Sequence, residues 1–298
     1  MIFRQLFDRE SCTYTYVLGC EVSQEAVLID PVQSLKDRDS LLLEQLGLKL
    51  VYTLETHVHA DHVTSSGQFR ISHGSKSVVS AAGGAPCADV PVRHGDLIRF
   101  GEHALEVRAT PGHTNGCVAY VDHAGERVFT GDTLMIRGCG RTDFQQGSAA
   151  NLYKSVHEQI FSLDDGFAIY PGHDYNGRTS STVAEEKAFN PRLGGGRSAA
   201  EFQQIMDNLK LANPKMMHIA VPANLQCGVV AAEAAANPAP TVWAPVVRTP
   251  AGVPELDVAW LSANLKAATL VDVRRADELT GELGAIAGVK HVLLDTLA

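Results

Sequence analysis

The chain has 298 residues, 45% of them hydrophobic, and a formal net charge of −9. That length allows one large domain or two smaller ones, and the apolar share supports a full core. The acidic balance argues against a nucleic-acid or anionic-membrane surface, both of which need basic patches; no apolar run approaches the ~20 residues of a membrane-spanning helix.

The N-terminus alternates like a strand (Ile2, Phe3, Leu6, Phe7) and carries no signal-peptide pattern; a cytoplasmic location is expected. Strands are expected at Phe3–Phe7, Tyr14–Gly19, Ala26–Asp30 and Val51–Glu55, with a helix over Lys36–Leu46. Directly after the fourth strand comes His57-Val58-His59-Ala60-Asp61-His62. Three imidazoles and one carboxylate in six residues suit a divalent transition metal rather than calcium. A surface loop of this composition by chance is the plain alternative.

A helix over Thr64–Ser72 follows, then strands at Ser77–Ser80, Leu97–Phe100, Leu105–Ala109, Val118–Val121, Arg127–Thr130 and Phe167–Tyr170. Three of these strands run into Pro-Gly or Gly turns that carry further donors. These are His113 in Thr110-Pro111-Gly112-His113, Asp132 in Thr130-Gly131-Asp132, and His173 in Tyr170-Pro171-Gly172-His173. Strand ends are rigid supports, and Gly and Pro let tight loops aim ligands inward. Later helices are expected at Ala150–Phe161, Ser181–Phe189 and Ser198–Leu211, which suggests helices packed outside a pair of sheets. Glu185 and Glu186 read as a solvated helix face rather than an acid–base pair. His94, His103, His123 and His157 lack companions at ligand spacing and read as surface or satisfied histidines.

The six cysteines, at positions 12, 20, 87, 117, 139 and 227, form no Cys-x-x-Cys pair. They read as free thiols of a reducing compartment, with Cys139 and Cys227 as buried structural thiols. An Ala-rich stretch ending in Asn237-Pro238-Ala239-Pro240 reads as a connection between domains. The expected division is a domain over 1–235, a linker over 236–250 and a second piece over 251–298. Within the last, Leu256–Leu265 is expected to be helical, with strands at Thr269–Val273 and Val289–Leu294.

With the His run and the three strand-end ligands in place, residues 1–230 resemble the metallo-β-lactamase fold. Four segments resemble the persulfide dioxygenases within it: Gly138-Cys139-Gly140-Arg141-Thr142-Asp143-Phe144, Tyr170-Pro171-Gly172-His173-Asp174-Tyr175, Asn190-Pro191-Arg192-Leu193 and Pro222-Ala223-Asn224-Leu225-Gln226-Cys227-Gly228. The resemblance implies an α+β fold, a four-layer αββα sandwich with the metal site at the sheet edges. It implies one Fe(II) per chain, held by His57, His113 and Asp132 in the pattern of a facial triad. His59, Asp61, His62 and His173 would then surround the ligands, orienting them and holding waters. The implied reaction oxidises glutathione persulfide with O2 to sulfite and glutathione.

Arg141 and Tyr175 are the expected substrate contacts, Arg141 through a glutathione carboxylate and Tyr175 through its hydroxyl, which also makes it a candidate assisting group. Their alternatives are a loop-anchoring ion pair for Arg141 and core packing for Tyr175. Spacing alone fits a dinuclear zinc site equally well, with Asp132 bridging. That leaves a glyoxalase II-like hydrolase of glutathione thioesters as the rival enzyme, and a non-catalytic sulfur-relay or binding module as a third reading. Assembly into a homo-oligomer is left open.

The C-terminal piece resembles the opening of an α/β rhodanese-like domain, through Leu270-Val271-Asp272-Val273-Arg274 and Gly288-Val289-Lys290-His291-Val292. It is an incomplete version: no cysteine follows Cys227, so no sulfurtransferase activity is expected.

Overall fold

The structure is a computed structural model that describes residues 1–211, 216–229, 246–248, 254–256, 258–264, 270–279 and 289–292. The chain divides into two compact units, Met1–Ala235 and Ala236–Ala298.

In the first unit, apolar runs become strands and their alternation assigns each side chain to a layer. Six strands form the first sheet in the order β1 (Ile2–Phe7), β2 (Tyr14–Gly19), β3 (Glu25–Ile29), β4 (Lys49–Leu54), β5 (Lys76–Ser80) and β6 (Val90–Val92). Six more form the second: β7 (Leu97–Phe100), β8 (His103–Ala109), β9 (Val118–Asp122), β10 (Arg127–Gly131), β11 (Ala168–Pro171) and β12 (Ser181–Thr182), again neighbours in that order. Along β2, Tyr16 and Leu18 enter the core between the sheets, where they join Tyr120 and Phe129. Val17 points the other way and packs with Leu43 of helix α1 (Lys36–Gln45) and Phe69 of α2 (Ser66–His73). On β9, Val118 and Tyr120 face the inner core. Ala119 and Val121 face outward onto Leu152 of α3 (Ala149–Ser155), Val183 of α4 (Val183–Phe189) and Phe202 of α5 (Ala199–Asp207). This period of two, buried on both faces, produces the αββα sandwich.

Most departures from expectation have local causes. β6 contains Pro91 and only three residues, so it carries little strand signal; Pro is tolerated because β6 is an edge strand. Ser181–Thr182 pairs with β11 instead of opening the helix, and the Thr182 hydroxyl accepts from Glu185 N to cap α4. The helix expected to reach Phe161 leaves α geometry after Ser155 and continues as a π-turn over Val156–Ile160. The helix expected from Ser198 to Leu211 ends at Asp207; its start is set by a Ser198–Glu201 capping box. Met217–Asn224 forms an unexpected helix, α6, despite Pro222 inside it.

The expectation of six free thiols fails at one pair. Cys87 and Cys227, 140 residues apart, are joined in a disulfide with Cα atoms 5.8 Å apart; sequence spacing cannot report a contact made by the fold. The other four cysteines are free.

Burial also leaves a pH signature on α1. Asp39 is fully buried, with Oδ1 accepting from Arg38 Nε and no partner for Oδ2 among the described residues. Burial pushes its carboxyl up to about 6, against the pull of the Arg38 guanidinium. Stability from this group is therefore complete below its ordinary value of 3.8 and lost as pH rises through about 6. Asp39→Asn should accordingly raise stability by roughly 2–3 kcal/mol at pH 8 and change little at pH 4, a gap that paired thermal melts would resolve. Equal gains at both pH values would refute this.

In the second unit, Val246–Arg248 pairs antiparallel with Pro254–Leu256, and a helix spans Val258–Ala263. Val271–Asp272 pairs parallel with Lys290–His291, with a short helix Ala276–Leu279 between them in sequence. So part of the expected linker, 246–248, is strand. The rest of 236–250 lies outside the described residues, as do 257 and 265 of the expected helix, 269 of the first expected strand and 293–294 of the second. Among the described residues no helix is long and apolar enough to cross a membrane.

Candidate metal centre

β8 and β10 are each antiparallel to β9, and β10 is parallel to β11. β8, β10 and β11 therefore run the same way and deliver His113, Asp132 and His173 to one edge of the second sheet. The run from Glu55 to His62 leaves the C-terminal end of β4 at the same edge. Among the bonds that tie the sheets together there, Val118 N donates to Thr56 O (2.8 Å) and Tyr120 Oη to Glu55 O (2.9 Å).

The ligand atoms of His57, His113 and Asp132 all lie within 4.8 Å of one another, and the three residues are buried. Their hydrogen bonds settle which imidazole nitrogens are bare. Asp30, at the end of β3, can only accept, so Thr56 Oγ1 donates to Asp30 Oδ2 (2.7 Å). Thr56 Oγ1 must then accept from His57 Nδ1 (3.0 Å), which leaves the His57 Nε2 lone pair free to bind. His113 Nδ1 donates to the Arg141 carbonyl (2.7 Å), and its bare Nε2 lies 3.7 Å from Asp132 Oδ2. Burial, followed by the charge of His59, holds the His57 imidazole well below its ordinary range, so it stays neutral. Two bare nitrogens and one carboxylate oxygen form a donor set that fits a divalent transition metal. Two glycines allow the approach. A Cβ at Gly131 (φ +50°) would meet Thr56 Oγ1 at 2.6 Å, and one at Gly140 would meet His113 Nδ1 at 2.7 Å.

The remaining donors sit beside this trio. Asp61 Oδ2 accepts from His62 Nδ1 and from His173 Nε2, both at 2.9 Å, and from Thr13 Oγ1 at 3.2 Å. His173 Nδ1 donates to Asp132 Oδ1 (2.6 Å). Burial disfavours charge on His173, but Asp132 and Asp61 outweigh it and hold the imidazole well above its ordinary value. His59 lies 3.1 Å from Asp30; against burial, the Asp30 carboxylate raises it to about 9. His59, Asp61 and His62 also bring ligand atoms within 4.8 Å of one another, as do Asp30, Glu55 and His59. The candidate centre is thus one buried trio embedded in further possible donors.

A cavity of about 320 Å³ opens over the trio, lined among others by Arg141, Phe144, Tyr175, Arg178 and Arg192. Arg141 takes the ion-pair alternative: its Nε and Nη2 both bond Asp143 at 2.6 Å, with the guanidinium over Phe144. Tyr175 is not core. It is 67% exposed and its ring stacks parallel to His173 at 6.0 Å. Cys139 is a buried thiol in the cavity lining, its sulfur 3.6 Å from Arg192 Nη1.

The solvated-face reading holds for Glu185, which is exposed, and fails for Glu186. Glu186 is fully buried and accepts from Arg137, Ser181 and Asn190, while Glu185 is ion-paired to Arg137 (2.7 Å). Donors from Ser181 and Asn190 nearby in sequence and from the distant Arg137 make burial of that carboxylate tolerable.

Sequence reasoning missed the role of Asn224. Its Nδ2 donates to the carbonyls of His59 (2.9 Å) and His62 (2.8 Å), and its Oδ1 accepts from Thr64 N (2.9 Å). The only sequence signal was its place in the Pro222–Gly228 segment.

Sandwich and edge site together define the class: the pattern of the Metallo-beta-lactamase superfamily matches residues 12–173. The mouse (Mus musculus) protein named persulfide dioxygenase ETHE1, mitochondrial, is 55% identical over 230 residues, 77% of this chain and 89% of its own. Its human (Homo sapiens) namesake is 54% identical with the same coverage. The crystal structure of ETHE1 from Myxococcus xanthus matches with a TM-score of 0.75 at 52% identity, over 77% of this chain and 100% of that one. The chain belongs to the metallo-beta-lactamase superfamily and, within it, to the persulfide dioxygenase family.

Proposed function

We propose that this protein oxidises glutathione persulfide with O2 and water to sulfite and glutathione, using one Fe(II) held by His57, His113 and Asp132. The observation that carries the reading is the trio itself, with two imidazoles stripped of their Nε2 protons by fixed hydrogen bonds, in a chain 54–55% identical to named persulfide dioxygenases. Iron in such a site supplies open coordination positions for a sulfur ligand and for O2.

The chain's own residues do the rest. Thr56 and the Arg141 carbonyl hold the two imidazoles in register, and His173 occupies the second oxygen of Asp132. The single-metal form is taken from the likeness to the persulfide dioxygenases; beside the trio, Asp61, His62, His173 and Thr13 bond one another. Arg141 and Tyr175 stand at the cavity wall, where a glutathione carboxylate could exchange with Asp143 on Arg141 and the Tyr175 hydroxyl could reach a bound sulfur. We place the protein in the cytoplasm on its four free thiols, against which the Cys87–Cys227 disulfide counts; the mouse and human relatives are named mitochondrial. We read residues 251–298 as a rhodanese-like segment; the parallel strand pair with an intervening helix supports that.

The test is oxygen uptake by anaerobically Fe(II)-loaded protein on adding glutathione persulfide, beside a zinc-loaded control. Uptake with sulfite formation in the iron form alone is expected. No uptake, with thioester hydrolysis by the zinc form, would instead establish the dinuclear hydrolase.

A further inference from the structure

We propose that the Cys87–Cys227 disulfide is a thiol-sensitive clamp on the metal-binding loop, acting through Asn224 as a positioning residue. Cys227 stands three residues beyond Asn224, the residue that holds the backbone of the His59–Thr64 loop. The segment is seated tightly: Cys227 O accepts from Gly67 N (2.8 Å), and Gly228 O from Gln33 Nε2 (3.2 Å). A void of about 10 Å³ is bordered by Cys227, Asn224, Glu55 and His57, so the disulfide end and the ligand end share one packing space. Cys87, in the connection between β5 and β6, is the far anchor of the bond.

The surroundings suit thiol exchange with a defined direction. Cys87 is half-buried, whereas Cys227 is 1% exposed. An external thiolate therefore attacks the Cys87 sulfur, forms a mixed disulfide there and expels Cys227 as a thiolate. Arg70 is placed to receive that charge, its Nη2 being 3.7 Å from Cys227 Sγ while also donating to Cys87 O (2.7 Å). A stabilised leaving thiolate speeds exchange. A second thiol then attacks the mixed disulfide and frees Cys87. Two small thiols are oxidised to one disulfide, and the protein disulfide takes up their two electrons as a dithiol. Glutathione, a product of the proposed reaction, belongs to this class of thiol. Only that assignment of the thiol rests on the proposed function; the clamp itself does not.

The experiment challenges Fe(II)-loaded protein with excess ferrozine under anaerobic conditions and follows iron release. It compares oxidised wild type, wild type reduced by glutathione, and Cys87→Ser. Alkylation and mass spectrometry count the thiols in each sample. Reduced wild type and Cys87→Ser should both release iron roughly 10-fold faster than the oxidised protein, the scale expected when support behind a ligand loop is lost. The same rate before and after proven reduction would overturn the clamp, as would six alkylated thiols in unreduced, denatured protein. If Cys87→Ser does not fold, the two wild-type samples decide the matter alone. Failure of every form to retain iron would overturn the clamp and the iron reading together, whereas equal rates from iron-loaded protein would overturn the clamp only.

Discussion

His57→Ala should leave the chain folded but unable to retain iron, with oxygen uptake reduced on the order of 10³-fold or more. Loss of a group that merely orients a ligand already costs about 10–100-fold in metal affinity or activity, and His57 is one of three direct donors in the proposed site. Its imidazole is neutral and buried, and its Nδ1 is committed to Thr56. Nearby His59 is held against Asp30 and Glu55. Iron content by mass spectrometry and oxygen uptake would be measured on the same preparation, with circular dichroism to verify folding. A folded variant with wild-type iron content and uptake would sink the assignment of His57.

Asn224→Ala should be the most damaging single change away from the trio. It strips partners from the carbonyls of His59 and His62 and from the N–H of Thr64, in a residue only 6% exposed. Each buried backbone group left unpaired costs about 1–3 kcal/mol, so a loss of roughly 3–6 kcal/mol is expected from a total typically near 5–15 kcal/mol. For a unit of this size that lowers the melting temperature by roughly 10 °C or more. Asn224→Asp is the informative companion. It keeps an acceptor for Thr64 N but cannot donate to either carbonyl, so it should also melt early and lose metal. An Asp variant as stable as wild type would show that the two carbonyl bonds carry no weight.

Much of the fold was legible because its signals are local. Tyr14–Gly19 and Leu97–Phe100 are strands with the expected limits, and most other strands differ by one or two residues at an end. Their alternation reports two buried faces without knowledge of any partner. Short edge strands such as Val90–Val92 escaped notice, since three residues with a central proline look the same in a loop. α6 escaped for a related reason: Pro222 lies inside it, and proline is a helix breaker in sequence terms.

By itself the sequence determined the donors and their supports: which imidazoles and carboxylates are available, and that they stand at strand ends behind Gly and Pro turns. It could do so because ligand chemistry and strand periodicity are carried by neighbouring residues. Tertiary structure alone decided what each donor does. The Asp30–Thr56–His57 chain sets a tautomer through residues 26 positions apart. Glu186 is buried because Arg137 and Asn190 reach it. Cys87 meets Cys227 across 140 residues. Protonation, burial and bond formation depend on distance in space, and for these groups that distance is set by how strands and loops far apart in sequence come together.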